Sequence, residues 1–145
     1  MDNVNLVVLT ALIEYIVFIL VVGATRGKYG VAAPATTGNA QWERLYRIQV
    51  NTAEQLVLFI PAIYGFAYYV NKPWAVGIGT VFLVGRVVYF FGYRKAGDKR
   101  LVGALLTAWP SYVLVVGALM GLLLAGTGTL KKSFDQLPSV MGVCV

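Results

Sequence analysis

Residues 41–70 read QWERLYRIQVNTAEQLVLFIPAIYGFAYYV, and this stretch decides the fold. Its second half, from Leu56 onward, is almost wholly apolar, while its first half carries Glu43, Arg44, Arg47, Asn51, Glu54 and Gln55. At about 100° per residue, Asn51 sits ~40° from Arg47 around a helix and Glu54 ~20° to its other side. The three make one narrow stripe, with Glu43 one turn earlier on the same side. Thirty helical residues span ~45 Å, more than a hydrocarbon core of ~30 Å. The first turns therefore belong to an interface and the remainder to a membrane.

Working outward, three further apolar runs cover roughly 6–23, 74–93 and 102–125. Each approaches or exceeds the ~20 residues a helix needs to cross a bilayer. The 145 residues are 59% hydrophobic and 12% charged, which does not suit a water-soluble domain. The expected architecture is all-α: a four-transmembrane-helix bundle in one domain, 1–145, with helices near 4–25, 41–70, 74–93 and 101–125. Gly27, Gly30, Pro34 and Gly38 mark the first connection as a loop, and Asn71-Lys72-Pro73 marks a tight turn. Pro61 and Pro110 are expected kink sites. The N-terminus carries Asp2 where a signal peptide has a basic region, so the first run reads as a retained helix.

The net charge of +6 is unevenly placed. Arg26, Lys28, Arg44 and Arg47 lie at or near loop one, Arg94, Lys95, Lys99 and Arg100 lie at loop three, and loop two has only Lys72. The positive-inside rule puts loops one and three in the cytoplasm, against which Lys131 and Lys132 count mildly. Basic residues that flank spans do not form a nucleic-acid surface. With no histidine and one cysteine, Cys144, near the end, metal sites built on histidine, disulfide frameworks and Cys–His nucleophile pairs are excluded. If thiol chemistry occurs, the thiol belongs to a ligand.

The third run carries a second polar row: Arg86, Tyr89 and Tyr93 fall within ~60° of one another on a helix. Glu54 lies ~18 Å along the axis from Trp42, and Arg86 ~12 Å from Arg94. Both rows thus occupy the cytoplasmic half at similar depth. Charged groups in a spanning helix usually face a partner, a cavity or a ligand. One reading pairs Arg47, Glu54 and Arg86 with each other as a lock on the bundle. The other notes that Arg26, Arg47, Arg86 and Arg100 face only Glu43 and Glu54, so an anionic ligand fits the surplus. Tyr15, Tyr64, Tyr68 and Tyr69 read as packing or interfacial residues. Glu14 is a single unexplained acid.

The run Glu43-Arg44-Leu45-Tyr46-Arg47-Ile48-Gln49-Val50-Asn51-Thr52-Ala53-Glu54-Gln55, with Phe59 and Pro61, resembles the membrane-associated proteins in eicosanoid and glutathione metabolism. Gly85-Arg86-Val87-Val88-Tyr89-Phe90-Phe91-Gly92-Tyr93, followed by Arg100, resembles them too. The similarity covers roughly residues 5–125, and Glu54-Gln55 is more similar to bacterial members. It implies a homotrimer of four-helix subunits in the bacterial inner membrane, with glutathione bound at subunit boundaries on the cytoplasmic side. Carried over, Arg47, Asn51, Glu54, Tyr89 and Tyr93 hold glutathione from one subunit. Arg26, Gln49 and Arg100 reach it from the neighbour, and Arg86 supports the site. After Arg26 stands Gly27, where the leukotriene-forming branch has a second arginine.

Residue chemistry agrees with this resemblance. Arginine forks suit the two carboxylates of glutathione, Glu54 its ammonium, and Asn51 and the tyrosines its peptide groups. A thiol of pKa ~8.5 is mostly protonated at neutral pH. A fixed cation within ~4–6 Å lowers such a value by ~1–3 units, and Arg100 is assigned that catalytic role. A lipophilic electrophile or a lipid hydroperoxide is expected to enter from the membrane along a groove near Trp109 and Tyr112. The expected function is a membrane glutathione transferase that also reduces lipid hydroperoxides, with glutathione as co-substrate and no metal. The alternatives are a non-catalytic lipid-binding or scaffold protein of the same fold, and a small transporter. The last is disfavoured because the polar rows occupy one half of the membrane only.

Overall fold

The computed structural model describes residues 1–95 and 100–141, with side chains described through 94 and over 101–128. Four helices follow one another: α1 (Asp2–Tyr29), α2 (Ala40–Tyr69), α3 (Lys72–Lys95) and α4 (Arg100–Met141). Cys144, Lys99 and the side chains of Lys95, Arg100, Lys131 and Lys132 lie outside the described residues.

α1 runs four residues past its expected end. Gly23 and Gly27 each weaken a helix by about 1 kcal/mol relative to alanine. In an apolar surrounding, however, the alternative leaves backbone groups without partners, and that costs more. The helix stops at Gly30, whose φ of 67° is left-handed, with its N–H directed to the carbonyls of Arg26 and Gly27. α2 begins where Asn39 Oδ1 accepts from the N–H groups of Gln41 (2.9 Å) and Trp42 (3.2 Å). Pro61 lies inside α2 without ending it. The expected turn at 71–73 is present, and Asn71 Oδ1 accepts from Trp74 N at 3.1 Å to open α3. α4 extends well past 125, through Met141.

Among the described residues, three helices are long and apolar enough to cross a membrane: α1, with a mean hydropathy of 2.7, α3 with 1.7 and the 101–128 part of α4 with 1.9. α2 has the length, at 30 residues, but the charged groups of its first half keep it out of that set. α1 and α4 each pack against α2 and α3, which therefore form the middle of the bundle. Two cores stack along it. Toward the α2–α3 turn the packing is apolar, centred on Phe59 and Phe82, whose rings stack at 3.9 Å. Toward loop one it is aromatic: Phe18 stacks on Phe90 at 4.8 Å, beside Trp42, Tyr89 and Tyr93.

Candidate functional site

The start of α2 is tied down from three sides. Trp42 is fully buried, and its indole Nε1 donates to the Val22 carbonyl of α1 at 3.1 Å. Glu43 Oε1 accepts from the Gly38 N–H at 2.9 Å, so this acid holds loop one. Arg26 lays its guanidinium 4.5 Å from the Trp42 ring centre and donates to the carbonyls of Ala35 (3.0 Å) and Ala32 (3.4 Å). With both its face and an N–H in use, Arg26 within this chain is a clamp on loop one.

Those ties hold one face of α2 open. A hollow of about 320 Å³ is lined by Arg47, Asn51 and Glu54, together with Glu43, Tyr46, Val50 and the loop residues Thr36 and Thr37. Arg47 and Glu54 are exposed there, and among the described residues they make no ion pair with each other. The lock in which these two join Arg86 is therefore not formed within the chain. Tyr46, Val50, Thr36 and Thr37 escaped the sequence reading. Tyr46 and Val50 lie three and seven residues after Glu43, where helical spacing places them beside the Glu43–Arg47 stripe, but an apolar or aromatic residue there reads as packing.

Tyr89 and Tyr93 stand behind the hollow on α3. Both are buried, with ring centres 5.6 Å apart. Asn51 Nδ2 donates to the Tyr89 hydroxyl at 2.7 Å, which joins the two polar rows. Arg86 turns the other way. It is 3% exposed, and its nitrogens donate to Thr107 Oγ1 of α4 (2.9 Å), Thr52 Oγ1 of α2 (3.2 Å) and the Asn51 carbonyl (3.5 Å). Its guanidinium lies 4.7 Å from the centre of the Tyr89 ring. Arg86 supports the hollow from behind and does not face it, because its side of α3 is the side packed on α2 and α4. With Arg86 and Arg26 engaged inside the fold, the cationic surplus at the hollow is smaller than composition suggests.

The remaining expected residues fall elsewhere. Gln49 is half-buried on α2 and does not line the hollow. Arg100 opens α4, and its side chain lies outside the described residues. An apolar groove of about 350 Å³ between α3 and α4 is lined by Ile78, Val81, Leu105, Leu106, Trp109, Pro110 and Val113. Trp109 thus sits where a lipophilic molecule would lodge, whereas Tyr112 is exposed and forms no part of the wall.

A polar hollow on α2 and an apolar groove between α3 and α4, on helices suited to a membrane, are consistent with what comparison with known proteins finds. The profile of the MAPEG family matches residues 4–120. An uncharacterized protein from Synechocystis is 46% identical over 118 residues, covering 81% of this chain and 86% of its own. Human microsomal glutathione S-transferase 2 is 37% identical over 117 residues, 81% of this chain and 74% of its own. Bovine leukotriene C4 synthase is 35% identical over 106 residues, 73% and 71% of the two chains. The match covers all of the hollow and most of the bundle, and the chain belongs to the MAPEG family.

Proposed function

We propose that this protein is an integral membrane glutathione transferase of the bacterial inner membrane, active as a homotrimer of four-span subunits with loops one and three in the cytoplasm. The observation that carries the reading is the joined set Arg47–Asn51–Glu54–Tyr89, a cation, an anion and a hydrogen-bonding pair around one hollow. Two of the relatives are named as a glutathione S-transferase and a leukotriene C4 synthase.

Each group has a task that fits its free atoms. Arg47, whose fork has no partner among the described residues, presents it to a carboxylate of glutathione, where a bidentate contact is stronger than a neutral hydrogen bond. Glu54 takes the ammonium. Asn51 spends its Nδ2 on Tyr89, which leaves Oδ1 to accept from a peptide N–H, while the Tyr89 hydroxyl keeps its own proton to donate. Arg26, Gln49 and Arg100 complete the site from the neighbouring subunit, which for Arg26 requires releasing one loop-one carbonyl. A single chain leaves Arg47 and Glu54 exposed at a bundle face. Charges facing hydrocarbon are costly, so a neighbour that covers them is favoured.

Arg100 supplies the positive charge that holds the sulfur as thiolate, and the thiol proton passes to water. The thiolate attacks the electrophilic carbon of a lipophilic acceptor lodged along the α3–α4 groove. A carbon–sulfur bond forms, and the leaving group departs with its electron pair. With a lipid hydroperoxide the thiolate attacks the peroxide oxygen instead. The O–O bond breaks, the alkoxide takes a proton and leaves as the alcohol, and the sulfur becomes a sulfenic acid whose hydroxyl a second glutathione displaces as water to give the disulfide.

The α3–α4 groove, apolar throughout its wall, also suits the second reading, a lipid-binding protein without turnover. Conjugation of 1-chloro-2,4-dinitrobenzene by the purified protein in detergent separates the two. Glutathione-dependent turnover with a thiolate ultraviolet band supports the transferase. Lipid binding with neither turnover nor a thiolate band contradicts it.

A further inference from the structure

Glu14 lies in the middle of α1, with a carboxylate oxygen, Oε2, that is buried and has no hydrogen-bond partner. The only other buried side-chain polar atom in this condition among the described residues is Nε of Arg86. The two side chains attract one another electrostatically, yet they make no direct ion pair. The orphaned atoms are complementary: Nε–H can only donate, and a carboxylate oxygen can only accept. The surface groove beside Glu14 is walled by Ile13, Val17, Phe18, Val87, Phe90 and Phe91, with Thr10 at its edge, and offers no other charge.

We infer that Glu14 and Arg86 form a charge pair bridged by one water across the α1–α3 boundary, and that Glu14 is thereby a positioning residue for the polar hollow. Buried polar groups almost always have a partner, ordered water included. One water accepting from Arg86 Nε and donating to Glu14 Oε2 satisfies both orphans. The pair also balances charge. The hydroxyls of Thr52 and Thr107 satisfy the other guanidinium nitrogens but carry no negative charge. An arginine within a spanning helix is costly without an anion, and among the described residues Glu14 is the carboxylate whose charge acts on it.

The consequence travels through contacts already described. Glu14 holds Arg86 from α1, and Arg86 holds Thr52 and the Asn51 carbonyl on α2 and Thr107 on α4. Arg86 also lies against the Tyr89 ring, and Tyr89 accepts from Asn51 in the hollow. All four helices are thus tied at one level, directly behind the groups assigned to glutathione. The positioning consequence rests on the transferase reading, whereas the charge pair does not.

Two measurements on the full-length protein test this. The infrared difference spectrum between wild type and Glu14→Gln should show loss of an ionised carboxylate band. Loss of a protonated carboxyl band instead overturns the charge pair. In the second, Glu14→Leu should raise the glutathione KM by about threefold to tenfold while kcat moves by less than about twofold, the size expected for a residue acting through a neighbour. Glu14→Gln, which can still hold the water, should fall between wild type and Glu14→Leu. In an Arg86→Met background, or Arg86→Lys if the former does not fold, Glu14→Leu should add little to the KM. An unchanged KM in Glu14→Leu, or an equal effect in both backgrounds, overturns the positioning role. If the wild-type protein neither binds nor turns over glutathione, the transferase reading and the positioning consequence fall together, and the infrared result still decides the pair.

Discussion

The two ends of the bundle solve the packing problem differently. Toward the α2–α3 turn, Phe59, Ile63, Phe66, Phe82 and Leu114 close the core with apolar contact, with a hydrogen bond from the Tyr64 hydroxyl to Asn5 Oδ1 at its exposed edge. Toward loop one, α2 gives up part of that contact. Trp42 and Tyr89 are buried but hydrogen-bonded, Arg86 is buried among threonines, and Arg47 and Glu54 are left exposed on an open face. Buried polar networks cost more when incomplete than apolar packing does, so a bundle under no functional demand would extend the apolar solution. The apolar end supplies stability, and the polar end gives some of it up for the open face at which we propose glutathione binds.

That division orders what substitutions should do. The largest effect is expected at Gly103, where α4 crosses α3 so closely that an added Cβ would fall on the Tyr89 backbone. Backbone cannot step aside cheaply, so Gly103→Ala should lower the thermal midpoint sharply and abolish glutathione turnover together. Gly77→Ala on the same bundle is the control: nothing lies within 4 Å of the new Cβ, and the midpoint should hold or rise slightly. Equal behaviour of the two variants would erase the distinction between the close crossing and the open surface.

Next comes Phe59→Ala at the apolar end. Phe59 is fully buried against Phe82, and its loss should cost about 3–5 kcal/mol of stability. At a temperature where the variant stays folded, its glutathione KM should match wild type. A raised KM there would show that the two ends are not separable.

Arg47→Ala and Glu54→Ala should do the reverse: little change in thermal midpoint, since both are exposed, and a KM for glutathione raised well above any fall in the maximal rate. Arg47→Lys should recover only part of the affinity, because a point charge does not reproduce the fork. Initial-rate measurements over a wide glutathione range decide it, and full activity for Arg47→Ala at ordinary glutathione levels would remove the hollow from function. The smallest effect is expected for Trp109→Ala. It should weaken turnover of large lipophilic acceptors more than of small ones and leave glutathione affinity unchanged, which a series of acceptors of rising chain length would read.

Much of this was legible in the residues because it depends on helical period alone. Arg47, Asn51 and Glu54 share a face at any helix-compatible register, so their convergence on one hollow follows from spacing. The turn at Asn71 and the loop from Gly30 to Asn39 follow from local chemistry in the same way. What spacing could not give depends on partners distant in sequence. Arg86 turns inward because Thr52 and Thr107 are there to receive it, and a threonine in an apolar run carries no such signal. Arg26 folds onto Trp42 and the carbonyls of Ala32 and Ala35 because loop one curls back, which no period encodes. α1 and α4 outrun their expected ends because glycine and polar residues remain helical where the fold gives the backbone no better partner.

The central claim is that the polar end of one chain is incomplete and that a neighbour finishes it. Its most direct measurement combines subunits of Arg47→Ala with subunits of Arg100→Ala in one oligomer and assays conjugation at glutathione levels too low for either variant alone. Boundaries in which the first subunit keeps Arg47 and the second keeps Arg100 should be intact, so activity should return in the mixed oligomers. If each site is built within a single chain, no mixture contains an intact one, and the absence of any recovery would contradict the shared site.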